Sequence, residues 1–162
     1  MRVFIGSDEA THLTNAVLGD LRQRGHDVTL VGPLAGERAS WVGVARAVAE
    51  AVASGAADEG LLFCRTGTGV SLAANKIPGV RAALCLDAET ARGARLWNRA
   101  NTLCLSLRST SEAQALEILN AWPKATAYQP NADDDACQEE VQVLEERYRR
   151  HPPATPEGTS TR

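Results

Sequence analysis

Residues 61–76, Leu-Leu-Phe-Cys-Arg-Thr-Gly-Thr-Gly-Val-Ser-Leu-Ala-Ala-Asn-Lys, leave this chain few folds to choose from. An apolar run ends at Cys64, passes through a Gly/Thr turn and opens into a run of small residues. That is the pattern of a strand, a tight loop and a helix N-terminus. In such a unit the loop amides point into one concavity, together with the positive end of the helix dipole. A thiol at the strand end sits where a thiolate is stabilised. The stretch reads as one nucleophile or base beside an anion hole. Gly-x-Gly alone is a weak signal; Cys-x-Thr-Gly-x-Gly followed by Ala-Ala-Asn-Lys is far more specific.

The flanking sequence repeats the strand–helix alternation. Residues 2–7 form an apolar strand ending in Gly6-Ser7-Asp8-Glu9, and Thr11 to Arg24 carries apolar residues at helical spacing before Gly25. A second strand, 28–31, leaves through Gly32-Pro33, and an Ala/Val-rich helix is predicted from Trp41 to Ala53. The third strand is 60–64. Beyond the central loop and helix come a turn at Ile77-Pro78-Gly79, a strand over 81–86, a helix from Ala88 to Asn98 and a strand over 102–107. A helix from Ser111 to Ala121, capped by Ser or Thr, completes the series. This order predicts an α/β protein: a three-layer α/β/α sandwich on a doubly wound, parallel five-stranded sheet of Rossmann or flavodoxin type. A ligand then belongs at the carboxyl ends of the strands, where Asp8, Glu9, Cys64 to Gly69 and Asp87 fall.

The expected organisation is a single domain over 1–150. Its part 123–150 is an arm with a loop-like, acidic start (Asp133-Asp134-Asp135) and an amphipathic helix from Ala136 to Arg150, a candidate dimer contact. Residues 151–162 are Pro/Thr/Ser/Gly-rich and read as a disordered tail. The net charge of −3, with no basic stripe among aromatics, argues against a nucleic-acid partner. No apolar run has the length of a membrane span, and the opening strand leaves no room for a signal peptide. The four cysteines, Cys64, Cys85, Cys104 and Cys137, lie far apart without metal-ligand spacing. Free thiols in a cytoplasmic protein are the plain reading, with Cys85 and Cys104 in the core and Cys137 on a helix surface. His12, His26 and His151 read as surface groups.

Several landmarks, in order and without gaps, resemble the family of type B ribose-5-phosphate isomerases and galactose-6-phosphate isomerases. They are Gly6-Ser7-Asp8, Cys64-x-Thr66-Gly67-x-Gly69 with Ser71 and Ala73-Ala74-Asn75-Lys76, Gly79-Val80-Arg81-Ala82-Ala83, and Asn98-x-Ala100-Asn101-x-Leu103. The resemblance covers about residues 2–122. It implies a cytoplasmic homodimer or homotetramer that needs no metal or other cofactor, interconverts aldose and ketose sugar phosphates, and builds its site across a subunit interface. It further implies that Cys64 takes the proton from the carbon beside the carbonyl, giving a cis-enediolate. The amides of Thr66, Gly67, Thr68 and Gly69 are then the oxyanion donors, and Asp8 and Asn98 bind sugar hydroxyls.

The departures from that pattern bear on substrate. Asp-His in the family is Asp8-Glu9 here, and the histidine that opens the sugar ring is replaced by Trp97. Arg65 stands where glycine is usual, and Asp-Tyr-Pro becomes Ser40-Trp41-Val42. Two arginines that meet the phosphate have no counterpart in Asn131 to Ala136, while Arg108 matches a family arginine. Trp97 and Trp41 offer apolar faces, Arg65 and Arg108 can meet an anion, and Glu9 can replace the missing histidine as acid–base group. Each has a plainer alternative. Cys64 can be a small core residue, Asp8 a helix cap, Glu9 a first-turn acid, Trp97 interface filler, and Arg65 one half of a surface ion pair. The leading expectation is a carbohydrate isomerase with Cys64 as base, acting on a sugar other than ribose 5-phosphate. The alternative is a non-catalytic sugar- or nucleotide-binding paralogue. A dinucleotide-binding enzyme is disfavoured, because the Gly-rich loop follows the third strand and no acid stands at the required distance.

Overall fold

The computed structural model describes residues 1–122 and 132–150. Residues 123–131 of the loop expected over 123–135, and the tail 151–162 with His151, lie outside them. The chain runs β1 (Arg2–Ser7), α1 (His12–Gln23), β2 (Asp27–Val31), a 3-10 turn (Gly32–Ala35), α2 (Trp41–Ala53), β3 (Glu59–Cys64) and α3 (Thr68–Ala74). It continues through β4 (Ala82–Leu84), α4 (Ala88–Asn98), β5 (Thr102–Ser106), α5 (Glu112–Ala121) and α6 (Ala132–Arg150). The strands form one all-parallel sheet in the order β2-β1-β3-β5-β4. β3 and β5 are buried at every position, as befits central parallel strands with apolar middles, Leu61 to Cys64 and Leu103 to Leu105.

Alternation along the strands sorts side chains into two cores. Val3, Ile5, Leu61, Phe63, Leu103 and Leu105 pack with the buried faces of α1, α4 and α5. Phe4, Leu62, Cys64 and Cys104 pack on the other side with Val44, Val48, Val70 and Ala74 of α2 and α3. These are the three expected layers, and they fix that the Cys64 side chain faces α2 and α3. Cys85 and Cys104 are fully buried, as expected of core residues, and Cys137 is exposed.

β4 is shorter than the predicted 81–86. It is the edge strand, and side chains replace a neighbour along it. Asn75 donates to the Ala82 carbonyl at 2.8 Å and accepts from its amide at 2.9 Å, so one side chain satisfies both groups of an edge residue. Asn101 accepts from the Arg81 amide at 2.8 Å. Two asparagines of the sequence landmarks are thus accounted for by the fold. α6 belongs to a second compact unit. It begins at Ala132 rather than Ala136, so Asp133, Asp134 and Asp135 form its first turn, where carboxylates favour the helix dipole.

A buried polar cluster closes the amino end of the sheet. Glu59 accepts from the Trp122 indole at 2.8 Å and pairs with Arg95 at 2.7 Å, while Arg95 stacks 5.2 Å from the Trp122 ring. A cavity of about 40 Å³ lies beside it, lined in part by Leu21, Glu59, Trp122 and His26. His26, expected on the surface, is half-buried with its Nδ1 covered. Arg95→Ala leaves the Glu59 carboxylate uncompensated, and removing one partner of a buried pair costs about 3 kcal/mol. The expected result is a lower urea midpoint with an unchanged slope, read by circular dichroism; an unchanged midpoint would remove the pair from the account of stability.

Candidate active site

The turn after β3 is held by its own backbone. The Cys64 carbonyl accepts from the amides of Gly67 at 3.1 Å and Leu107 at 3.0 Å. The Arg65 carbonyl accepts from the Arg108 amide at 3.0 Å and the Ser106 hydroxyl at 3.0 Å. The end of β5 therefore braces the Cys64 turn. Gly67 takes φ +72° and caps α3 without a side-chain hydrogen bond. Its amide is spent on Cys64, so it is not the free oxyanion donor expected from the sequence. The amides of Thr66, Thr68 and Gly69 have no partner among the described residues, and those of Thr68 and Gly69 lie in the first turn of α3, where none is available within the helix. The side chains of Arg65, Thr66 and Thr68 are exposed, and Cys64 retains 5% of its accessible surface.

Asp8 leaves the carboxyl end of β1, next to the carboxyl end of β3 where Cys64 stands: the last registered pair of the two strands is Ser7 with Phe63. Ser7, fully buried, fixes the turn that follows by donating to the Glu9 carbonyl at 2.6 Å. Asp8 lines an open cleft with Pro33 and residues 36–40, which include Arg38, a cation the sequence reading passed over. Its Oδ1 is buried with no partner among the described residues. Burial pushes the Asp8 carboxyl above its ordinary value; its own backbone amide opposes this and the Glu9 charge adds to it. The Glu9 side chain is exposed.

Trp41 opens α2, and its ring lies against the loop: a methyl group at Gly69 would come 3.1 Å from the Trp41 Cε3. A side chain at Gly69 would press on the Trp41 ring. Trp41 is 43% exposed, so it roofs the loop rather than filling a core. Trp41→Ala is expected to lower kcat/KM about tenfold, equivalent to about 1.4 kcal/mol of transition-state stabilisation. Little melting temperature should be lost, and Trp41→Phe should be close to wild type. A large loss of stability instead would make Trp41 a folding residue.

Two expected residues do not join this group within one chain. α4 carries the chain from the carboxyl end of β4 back to the amino end of β5, so Trp97 and Asn98 finish at the opposite end of the sheet from Cys64. There the Asn98 carbonyl accepts from the Arg81 guanidinium at 3.4 Å. Both line a groove with Ala83, Leu84, Glu89 and Thr90. The Trp97 ring covers Gly93 and lies 5.7 Å from the Arg92 guanidinium. Arg108, in contrast, is beside Arg65 at the carboxyl ends of β3 and β5, and both side chains are exposed with no ion pair among the described residues. No group of three or more metal-ligating side chains converges among the described residues.

Comparison with known proteins bears on this arrangement. The chain matches the model of the family described as Ribose/Galactose Isomerase over residues 3–138. It is 36% identical over 124 residues to the D-erythrulose-4-phosphate isomerase of Pectobacterium atrosepticum, covering 75% of this chain and 82% of that protein. It is 37% identical over 110 residues to the ribose-5-phosphate isomerase B of Escherichia coli, covering 68% and 74%. The structure of ribose-5-phosphate isomerase B from Clostridium thermocellum superposes with a TM-score of 0.83 at 35% identity, over 91% of this chain and 99% of that one.

Proposed function

Because the chain belongs to the Ribose/Galactose Isomerase family, we propose that it is an aldose–ketose isomerase working through a cis-enediolate, with Cys64 as the base. The observation that carries this reading is the Cys64 turn itself. Cys64 ends β3 at the carboxyl end of the sheet, followed by the free amides of Thr66, Thr68 and Gly69, while Asp8 leaves the same end of the neighbouring strand β1. A thiolate there reaches a carbon-bound proton, and the amides meet the oxygen on which charge develops. Arg65 and Arg108 supply positive charge on the flank and suit an anionic substituent such as a phosphate. Trp41 roofs the loop, and Glu9 stands at the rim.

Trp97 and Asn98 can contribute only from a second copy of the chain, consistent with a site shared between subunits of a homodimer or homotetramer. The substrate is a sugar other than ribose 5-phosphate; the changes at Glu9, Arg65 and Trp97 support that choice. The test is deuterium exchange in heavy water, followed by NMR across tetroses, pentoses and hexoses, free and phosphorylated. Exchange beside the carbonyl that is absent in Cys64→Ala is the expected result and identifies the substrate class. Binding of a sugar without exchange would instead make this a non-catalytic relative.

A further inference from the structure

An enediolate isomerase has two proton problems, one at carbon and one at oxygen. Cys64 deals with the first. Starting from the aldose, removal of the C2 proton leaves charge on O1 and a hydroxyl on O2. The ketose needs the reverse, a hydroxyl on O1 and a carbonyl at C2. A group that gives a proton to O1 and takes one from O2 completes the change, and it must hold a proton when the cycle starts.

We propose that Asp8, as the neutral carboxylic acid, is that group, and so is a catalytic residue rather than only a hydroxyl-binding one. This rests on the isomerase reading above. Three observations converge on it. Asp8 and Cys64 stand at the carboxyl ends of the neighbouring strands β1 and β3, whose last registered pair is Ser7 with Phe63, so both belong to the end of the sheet where a ligand would bind. Its Oδ1 is buried and unpartnered among the described residues, although a buried carboxyl oxygen without a hydrogen bond is costly unless a ligand completes it. Its carboxyl has two oxygens in one plane, matched to the two cis oxygens of the intermediate. Burial pushes its carboxyl above the ordinary carboxylate value.

The step balances. The Cys64 thiolate takes the C2 proton, and the electron pair forms the C1–C2 double bond as O1 becomes the oxyanion. The Asp8 carboxyl gives its proton to O1. The resulting carboxylate takes the O2 hydroxyl proton while C2 becomes a carbonyl, and the Cys64 thiol returns its proton to C1. Nothing is oxidised outside the sugar, and both residues end as they began. The other charged groups near Asp8 are Glu9 on its own turn, Glu37 and Arg38 on the loop that walls the cleft, and Cys64 and Arg65 at the end of β3. Glu9 and Arg65 have exposed side chains and Arg38 holds no proton it can release, so Asp8 alone among them combines burial with an open hydrogen-bonding site.

The experiment compares exchange with net conversion in the same sample. In wild type the two are expected to proceed at similar rates. In Asp8→Asn, which keeps the shape and one acceptor oxygen, Cys64 still removes and returns the carbon-bound proton, but the oxygen transfer is lost. The expected result is a ratio of exchange to conversion at least 100-fold above wild type, with Asp8→Glu restoring it toward the wild-type value. A ratio unchanged in Asp8→Asn, whether both rates fall together or both stay normal, overturns the role of Asp8 and leaves the isomerase reading intact. Absence of exchange in wild type overturns the isomerase reading, and this inference with it. A fold check by circular dichroism accompanies each variant, and Asp8→Glu decides the matter if Asp8→Asn does not fold: conversion lost despite a retained carboxyl and measurable exchange counts against the proposal.

Discussion

Cys64→Ala is expected to lower kcat/KM by about 10²–10⁴-fold, the usual contribution of a positioned general base, with little change in melting temperature. The thiol is small and lies at the end of a strand, so its removal leaves only a minor void. No other cysteine of the core can take its place. Burial pushes the Cys85 thiol up to about 12, with the Asp87 charge adding to it. Burial likewise raises Cys104, which faces the same core as Cys64. Both remain protonated thiols at neutral pH and are poor bases and poor nucleophiles. Alkylation gives an independent check, but Cys137 is exposed and will react first for reasons of access. In a Cys137→Ser background, iodoacetamide should modify Cys64 ahead of Cys85 and Cys104, and substrate should protect it. Wild-type turnover in Cys64→Ala, or preferential labelling of Cys104, would remove Cys64 from the chemistry.

Much of this arrangement was legible in the residues, because local signals decide it. The spacing of apolar residues gave α2 and α4 to their ends, and Ser40, Asp87 and Ser111 cap the helices they precede by accepting from the amide three residues on. The strand–loop–helix reading of 61–76 holds for the same reason. What was not legible depends on contacts distant in sequence. Nothing local says that β5 inserts between β3 and β4, yet that insertion is what braces the Arg65 turn through Ser106 and Arg108. Asn75 stands in the sequence only as part of a landmark of the resemblance, and the position of the sheet edge reveals that it serves Ala82. The sequence offers Glu9 as an acid–base group by its place in a motif; burial, which a linear pattern does not display, distinguishes the partly buried Asp8 from the exposed Glu9. Trp97 and Asn98 follow a different logic. Their distance from Cys64 within one chain was implicit in the parallel topology, since each connecting helix must return the chain to the amino end of the sheet.

Gly67→Ala should damage both stability and activity, which Cys64→Ala should not. Gly67 holds φ +72°, a left-handed conformation that costs a side chain roughly 1–2 kcal/mol. Space is also lacking. A methyl group there would lie 2.5 Å from Leu84 Cδ1 and 3.0 Å from the Leu105 backbone carbon. The leucine side chain can turn aside, whereas the backbone of the central strand β5 cannot, and overpacking of this kind adds about 1–3 kcal/mol. The combined loss is about 3 kcal/mol by these two principles, read as a fall in the urea midpoint. Relief of the clash moves the loop outward, and with it the amides of Thr66, Thr68 and Gly69 proposed to meet the developing charge. A displacement of about 1 Å at such donors costs on the order of 100-fold in rate. If Gly67→Ala lost stability but kept its turnover, the oxyanion donors would have to lie elsewhere, and the Thr66–Gly69 loop would be a packing element of the β3–β5 junction alone.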